Sequence, residues 1–332
     1  MLTSPSVSPL APWSLRLLLA AVLAFGSEIL IWTNPPGRTL ADVLLLIPGY
    51  LILGAMLLDF IVRYRTRDLF GVLVLAGFYS LAAALALNPA STLNELPRTL
   101  VTRVMGAHAL LAAEMIGLLL ALTGGAAPRR RRTLLIGSVF VGLAWGMWVR
   151  WWPADAGLPD VPLLTMLLYG AGGVALLAGL LIMARRSTRD LTPDALRLSV
   201  RGWVVIVVVL SALIILRLLN RELTPDALLL VALLLALSWA ILWFRGRTKG
   251  RTLLDGCVPV QTPILVTLLS ALAIFTGVAI FAYNLPRIQL GEVYQLTLIT
   301  LGFTAYGLAW LPSVSLILGA QAYIRQIQTR KM

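Results

Sequence analysis

The stretch TLVTRVMGAHALLAAEMIGLLLALTGGAAPRRRRT, Thr99–Thr133, decides the fold. Between Leu100 and Thr123 it carries only Arg103, His108 and Glu114 as ionisable groups. An apolar run of about 20 residues at 1.5 Å per residue crosses the ~30 Å hydrocarbon core of a bilayer as an α-helix. Glycines and a proline end the run, and four consecutive arginines, Arg129 to Arg132, follow it. A membrane helix that finishes against a block of arginine finishes on the cytoplasmic side.

Working outward from this segment, ten runs meet the same length test: 14–33, 40–62, 69–88, 100–123, 133–152, 162–183, 202–219, 226–244, 263–284 and 296–318. They are continuously apolar and rich in Leu and Ala, without the alternation of an outer-membrane barrel, so the spanning elements are helices. Composition agrees. Of 332 residues 59% are hydrophobic and 12% charged, and the mean hydropathy is +0.91. Soluble chains carry about 25% charged residues. A soluble enzyme, a disordered chain, a disulfide-stapled domain and a nucleic-acid-binding module are thereby excluded. The expected fold is an all-α polytopic transmembrane bundle, one membrane domain over 1–332 whose solvent is the lipid bilayer.

The net charge of +13 obeys the same logic. Assigned loop by loop, the 27 Lys and Arg residues divide 20 to 7 between the two faces, and the richer face alternates without a break across ten helices. Both termini are therefore expected in the cytoplasm, in the inner or plasma membrane of a bacterial cell. The N-terminus, MLTSPSVSPLAPWSLR, lacks a basic n-region, so its apolar run is expected to stay as helix 1. Cys257 is the only cysteine and His108 the only histidine, which rules out a disulfide within the chain, a cysteine metal cluster and bis-histidine haem. No metal and no cofactor are expected. No P-loop, HExxH, Gly-rich nucleotide turn or acidic cluster occurs.

Ionisable groups at mid-membrane cost roughly 2.5–3.5 kcal/mol on insertion scales, so each asks for a function. On an ideal helix Arg103 and Glu114 lie about 20° from eclipsed and ~16 Å apart along the axis. Arg103, Ala107, Leu110 and Glu114 then form one stripe, with His108 directed to a different neighbour. Glu28 lies in the outer third of helix 1. The functional expectation is a polar pocket open to the outer side, with Glu114 as floor, Arg103 at the mouth, and Glu28 and His108 as further substrate- or proton-binding groups. The competing expectation is that Glu114 and His108 hydrogen-bond neighbouring helices and act only as glue. Asp59, Arg150 and Arg217 lie near helix ends and are expected to snorkel to water.

Other features read as architecture. Asn34, Asn88, Asn220 and Asn284 stand where outward-running helices stop. LTPDAL occurs twice, at Leu191–Leu196 and Leu223–Leu228, and reads as two capped helix starts. Trp145, Trp148 and Trp152 read as an interfacial aromatic belt. Gly142-x-x-x-Gly146 and the Ala171, Ala175, Gly179 series allow close helix approach, within the bundle or against a partner. Pro48-Gly49 and Pro312-Ser313 read as packing kinks, the alternative being breaks of the kind that line solute sites.

Three functions remain. The leading one is a secondary transporter or exporter of a small solute. The second is a non-catalytic subunit or scaffold that binds a partner membrane protein. The third is an enzyme acting at the outer face on a lipid-linked substrate, with Asp42 or Glu28 as base; no base–nucleophile pair supports it.

Overall fold

A computed structural model describes residues 10–31, 40–123, 128–155, 160–187, 192–246, 252–255, 262–286, 289–290, 293–294, 300–310, 320–321, 324 and 327–328. Asn34, Cys257 and Pro312-Ser313 fall outside them, as do the side chains of Asp42 and Trp152.

The helices are α1 Leu10–Ala24, α2 Leu40–Arg63, α3 Leu69–Ala86, the single turn α4 Pro89–Thr92, α5 Ala109–Thr123, α6 Pro128–Asp155, α7 Leu163–Ser187, α8 Val200–Leu219, α9 Pro225–Arg245 and α10 Thr262–Tyr283. The described part of the last apolar run, 300–310, is helical and is designated α11. Among the described residues nine spans are long and apolar enough to cross a membrane, and the protein is an all-α polytopic bundle. Two-residue strands, Gln289–Leu290 and Val293–Tyr294, pair antiparallel beyond α10.

Two spans are not α-helical throughout. α1 continues as a π-helix, Phe25–Leu30, and α5 is preceded by a π-helix, Leu100–His108. The i→i+5 closure of a π turn sets the helix back by about one residue, or ~100°. The single stripe expected for Arg103, Ala107, Leu110 and Glu114 is therefore broken. Arg103 and Glu114 are exposed while Ala107 is buried.

α1, α2 and α3 form the centre. α2 and α3 bury 78% of their spans inside the protein and α8 only 11%. α1 lies against α2, α5 and α7, α3 against α5, α8 and α9, and α6 runs along α10. The closest approaches are made by glycine. A Cβ at Gly142 would lie 2.7 Å from the Phe275 carbonyl oxygen, and one at Gly146 would overlap that of Ala279. This small-residue pair thus serves the α6–α10 contact inside the chain. Gly106 and Gly307 cross backbone to backbone, and Trp310 fills the space over Gly77 while donating to the Leu73 carbonyl at 3.1 Å. By contrast Ala171, Ala175 and Gly179 of α7 are exposed.

The two LTPDAL copies fold differently. At the second, Thr224 caps α9 by accepting from the Ala227 amide at 3.3 Å. The first makes only a 3-10 turn, Pro193–Leu196, after which the chain is extended. There its backbone groups are taken up by side chains from α1 and α2. Arg16 donates to the Leu196 carbonyl at 3.2 Å, and the Leu198 amide donates to Asp59 at 2.7 Å. Asp59 is fully buried and holds Arg63 through Nε (2.7 Å) and Nη2 (2.9 Å). The expectation that Asp59 snorkels is thus corrected: an immobile set of donors replaces water, as a buried carboxylate requires.

Candidate functional site

The site is built from the end of α1 that lies on the arginine-poor face. Glu28 sits within the π-helical stretch, half-buried, beside Ser27, which is buried. α2 brings up Tyr50 and α3 brings up Tyr79, both buried almost completely in the apolar core. The Tyr50 hydroxyl donates to Glu28 Oε1. The Asn88 amide, at the N-cap of α4, donates to the same oxygen at 3.2 Å. Ser27 Oγ and the Tyr79 hydroxyl share a hydrogen bond of 3.0 Å. One carboxyl, two phenols, a hydroxyl and an amide therefore converge from four successive elements of the chain.

The backbone around two of these side chains, Glu28 and Asn88, is held from outside the cluster. The π turn leaves backbone carbonyls at its end that bilayer hydrocarbon cannot satisfy. Trp145 Nε1 donates to the Ile29 carbonyl at 2.8 Å and Trp148 Nε1 to the Ile31 carbonyl at 2.5 Å. Trp145 also stacks on Phe275, with centroids 5.0 Å apart. The belt expectation for these two tryptophans is corrected, because their indole N–H groups turn inward to cap α1. Asn88 is positioned through the end of α3. Arg217 donates to the Ala86 and Leu87 carbonyls at 3.3 and 2.9 Å and pairs with Glu222 at 2.7 Å. Arg217 is thereby engaged with protein, where snorkelling was expected. Pro48, which cannot donate to the α2 ladder, stands two residues before Tyr50.

Of the four residues singled out from sequence, Glu28 occupies this cluster and Arg103 adjoins it. Arg103 reaches back to the Ser91 carbonyl, in the turn that Asn88 opens. His108 is buried at the end of the second π stretch, within electrostatic reach of Arg103. Glu114 lies apart, exposed on α5 and within electrostatic reach of Tyr306 on α11. Among the described residues no group of His, Cys, Asp and Glu is placed to hold a metal ion.

Tyr50, Tyr79 and Asn88 were not singled out from sequence. A signal for the tyrosines existed, since a phenol inside an apolar run must find a partner for its hydroxyl. Asn88 carried none, because a helix stop and a ligand look alike at that position.

Chemically the cluster is a carboxyl group supplied with two donors at one oxygen and bordered by hydroxyls that can donate or accept. Such a set has the chemistry to accept a polar group or to relay a proton. Comparisons with protein-family models, with curated proteins and with solved structures gave no match.

Proposed function

We propose that this multi-pass membrane protein is a carrier for a small polar solute and that the Glu28 cluster is its binding region. The observation that supports the reading is the π-helical placement of a half-buried carboxyl against Tyr50 of α2, with the adjacent Ser27 bonded to Tyr79 of α3. π-bulges occur frequently at functional sites, and ionisable groups inside spans mark solute and proton paths. In this reading Arg103 stands at the outer mouth, and Glu114 and His108 are groups that can couple a proton to the solute. The cell membrane is the expected location.

The test is a panel of small amines, amino acids, polyols and carboxylates. It is screened first for thermal stabilisation of the purified protein and then for uptake into proteoliposomes. Wild type is expected to be stabilised by one chemical class and to move it. Glu28→Gln, equal in shape but unable to change charge, is expected to lose at least about tenfold in uptake while eluting as a folded protein. Uptake unchanged in Glu28→Gln overturns this assignment of the site, and no stabilisation or uptake by any class overturns the carrier reading.

One observation favours the second reading, a subunit of a larger assembly. The exposed small residues Ala171, Gly172, Ala175 and Gly179 give α7 a smooth outer face of the kind that transmembrane helices use for association. Native mass spectrometry after gentle extraction separates the readings. A stoichiometric protein partner selects the subunit, and a lone monomer or homodimer the carrier.

A further inference from the structure

On the arginine-rich face, far from Glu28, the turn between α2 and α3 borders a cavity of about 250 Å³. Among the described residues lining it, Arg65 and Arg67 from this turn and Arg245 from the end of α9 supply three cations, and Asp68 supplies the one carboxylate. That carboxylate is already committed. It accepts from Arg245 at 2.5 Å and from the Gly71 amide at 2.8 Å, where it caps α3. Among the described residues that line the cavity, cationic groups therefore outnumber carboxylates.

The turn is built to present these side chains. The Thr66 amide bonds the Ile61 carbonyl at 3.0 Å and the Arg65 amide bonds that of Val62, so α2 ends in a Schellman-type closure. Its left-handed position, usually glycine, is Arg65, with φ of 48°. Arg221 takes the same conformation at the end of α8, with φ of 58°, so what distinguishes Arg65 is that its turn lines the cavity. Gln321 and Gln328 add neutral donors from the C-terminal segment, and Leu242 and Ile324 form an apolar wall. Guanidinium groups, amide donors and an adjoining apolar surface at the membrane boundary match a phosphate ester joined to an acyl chain.

We propose that this cavity binds a phosphate-bearing anion, its source being the headgroup of an anionic phospholipid in the same leaflet. Arg65 and Arg67 hold the phosphate, and Leu242 and Ile324 border the glycerol and the first methylenes.

The experiment is native mass spectrometry of the full chain in detergent, titrated separately with dioleoylphosphatidylglycerol, dioleoylphosphatidylcholine and inorganic phosphate. Wild type is expected to retain one phosphatidylglycerol in preference to phosphatidylcholine. Arg65→Gln is expected to lose about fivefold in apparent affinity, and Arg65→Gln with Arg67→Gln about thirtyfold. Arg201→Gln, an exposed arginine outside the cavity, is expected to bind like wild type. Arg65→Lys keeps the charge and is expected to recover most of the binding, which separates a ligand role from a folding role. Retention of inorganic phosphate without phosphatidylglycerol, again lost in the double variant, supports the phosphate site and overturns the lipid as its source. Equal phosphatidylglycerol retention by wild type and the double variant, or an equal loss in Arg201→Gln, overturns the proposal.

Discussion

Asp59 holds more of the arginine-rich end together than any exposed ion pair, and the reason is its depth. It is fully buried and accepts from Arg63 twice and from the Leu198 amide, so one carboxyl ties α2 to the chain between α7 and α8. Arg63 itself reaches solvent, so the cost of removing the carboxyl is the loss of these three hydrogen bonds, two of them charge-assisted, and of the filled space, about 3 kcal/mol. Asp59→Ala is therefore expected to lower the free energy of unfolding by about that amount, read by denaturant titration in mixed micelles. Asp194→Ala, which removes a solvent-exposed partner of Arg197, is expected to change it by less than about 0.5 kcal/mol. Equal effects from the two would show that depth does not decide. The i, i+4 spacing of Asp59 and Arg63 was visible in sequence, but the Leu198 amide was not, since it comes from 139 positions further along. Glu28 repeats the lesson. Its place inside an apolar run marked it as costly, whereas its donors come from α2 and from the start of α4. Helices that are apolar all round carry no polar face from which their rotation can be read.

At the scale of elements, the spans were legible because each must supply about 20 apolar residues, a requirement the sequence states directly. The π stretches at Phe25–Leu30 and Leu100–His108 were not, because a π turn differs from an α turn only in which carbonyl each amide selects. The glycine spacings were legible as close approach but not as to which helix approaches. Gly142 and Gly146 face α10, where added carbons meet backbone oxygens that cannot yield. Gly179 faces open space, with nothing within 4 Å of an added Cβ. Gly146→Ala is thus expected to cost about 1–3 kcal/mol by overfilling the α6–α10 contact. Gly179→Ala is expected to be neutral or slightly stabilising in the same unfolding assay, since alanine is the better helix former. A destabilised Gly179→Ala beside an unaffected Gly146→Ala would place the close contact on α7 and overturn the arrangement.

At the scale of the whole molecule, helix order and charge make one prediction together. Nine described spans and an eleventh helix over 300–310 put successive connections at alternate ends of the bundle. The ends so defined separate the polar features. Glu28, Asn88, Arg103 and the Arg150–Asp160 pair gather at one, and Asp59, Arg65, Asp68 and Arg245 at the other. The second end carries the arginine excess, and a bilayer inserts such loops on the cytoplasmic side because moving them across the membrane potential is unfavourable. Asn94 is exposed at the first end and Asp194 at the second. In a background with Cys257→Ser, Asn94→Cys is expected to react with a membrane-impermeant maleimide in intact cells. Asp194→Cys is expected to react only after permeabilisation. The reverse pattern would keep the bundle and invert it, which would place the Glu28 cluster toward the cytoplasm and the arginine-lined cavity outside. Labelling of both from the same side would mean that an odd number of crossings does not separate them, and the helix order itself would fail.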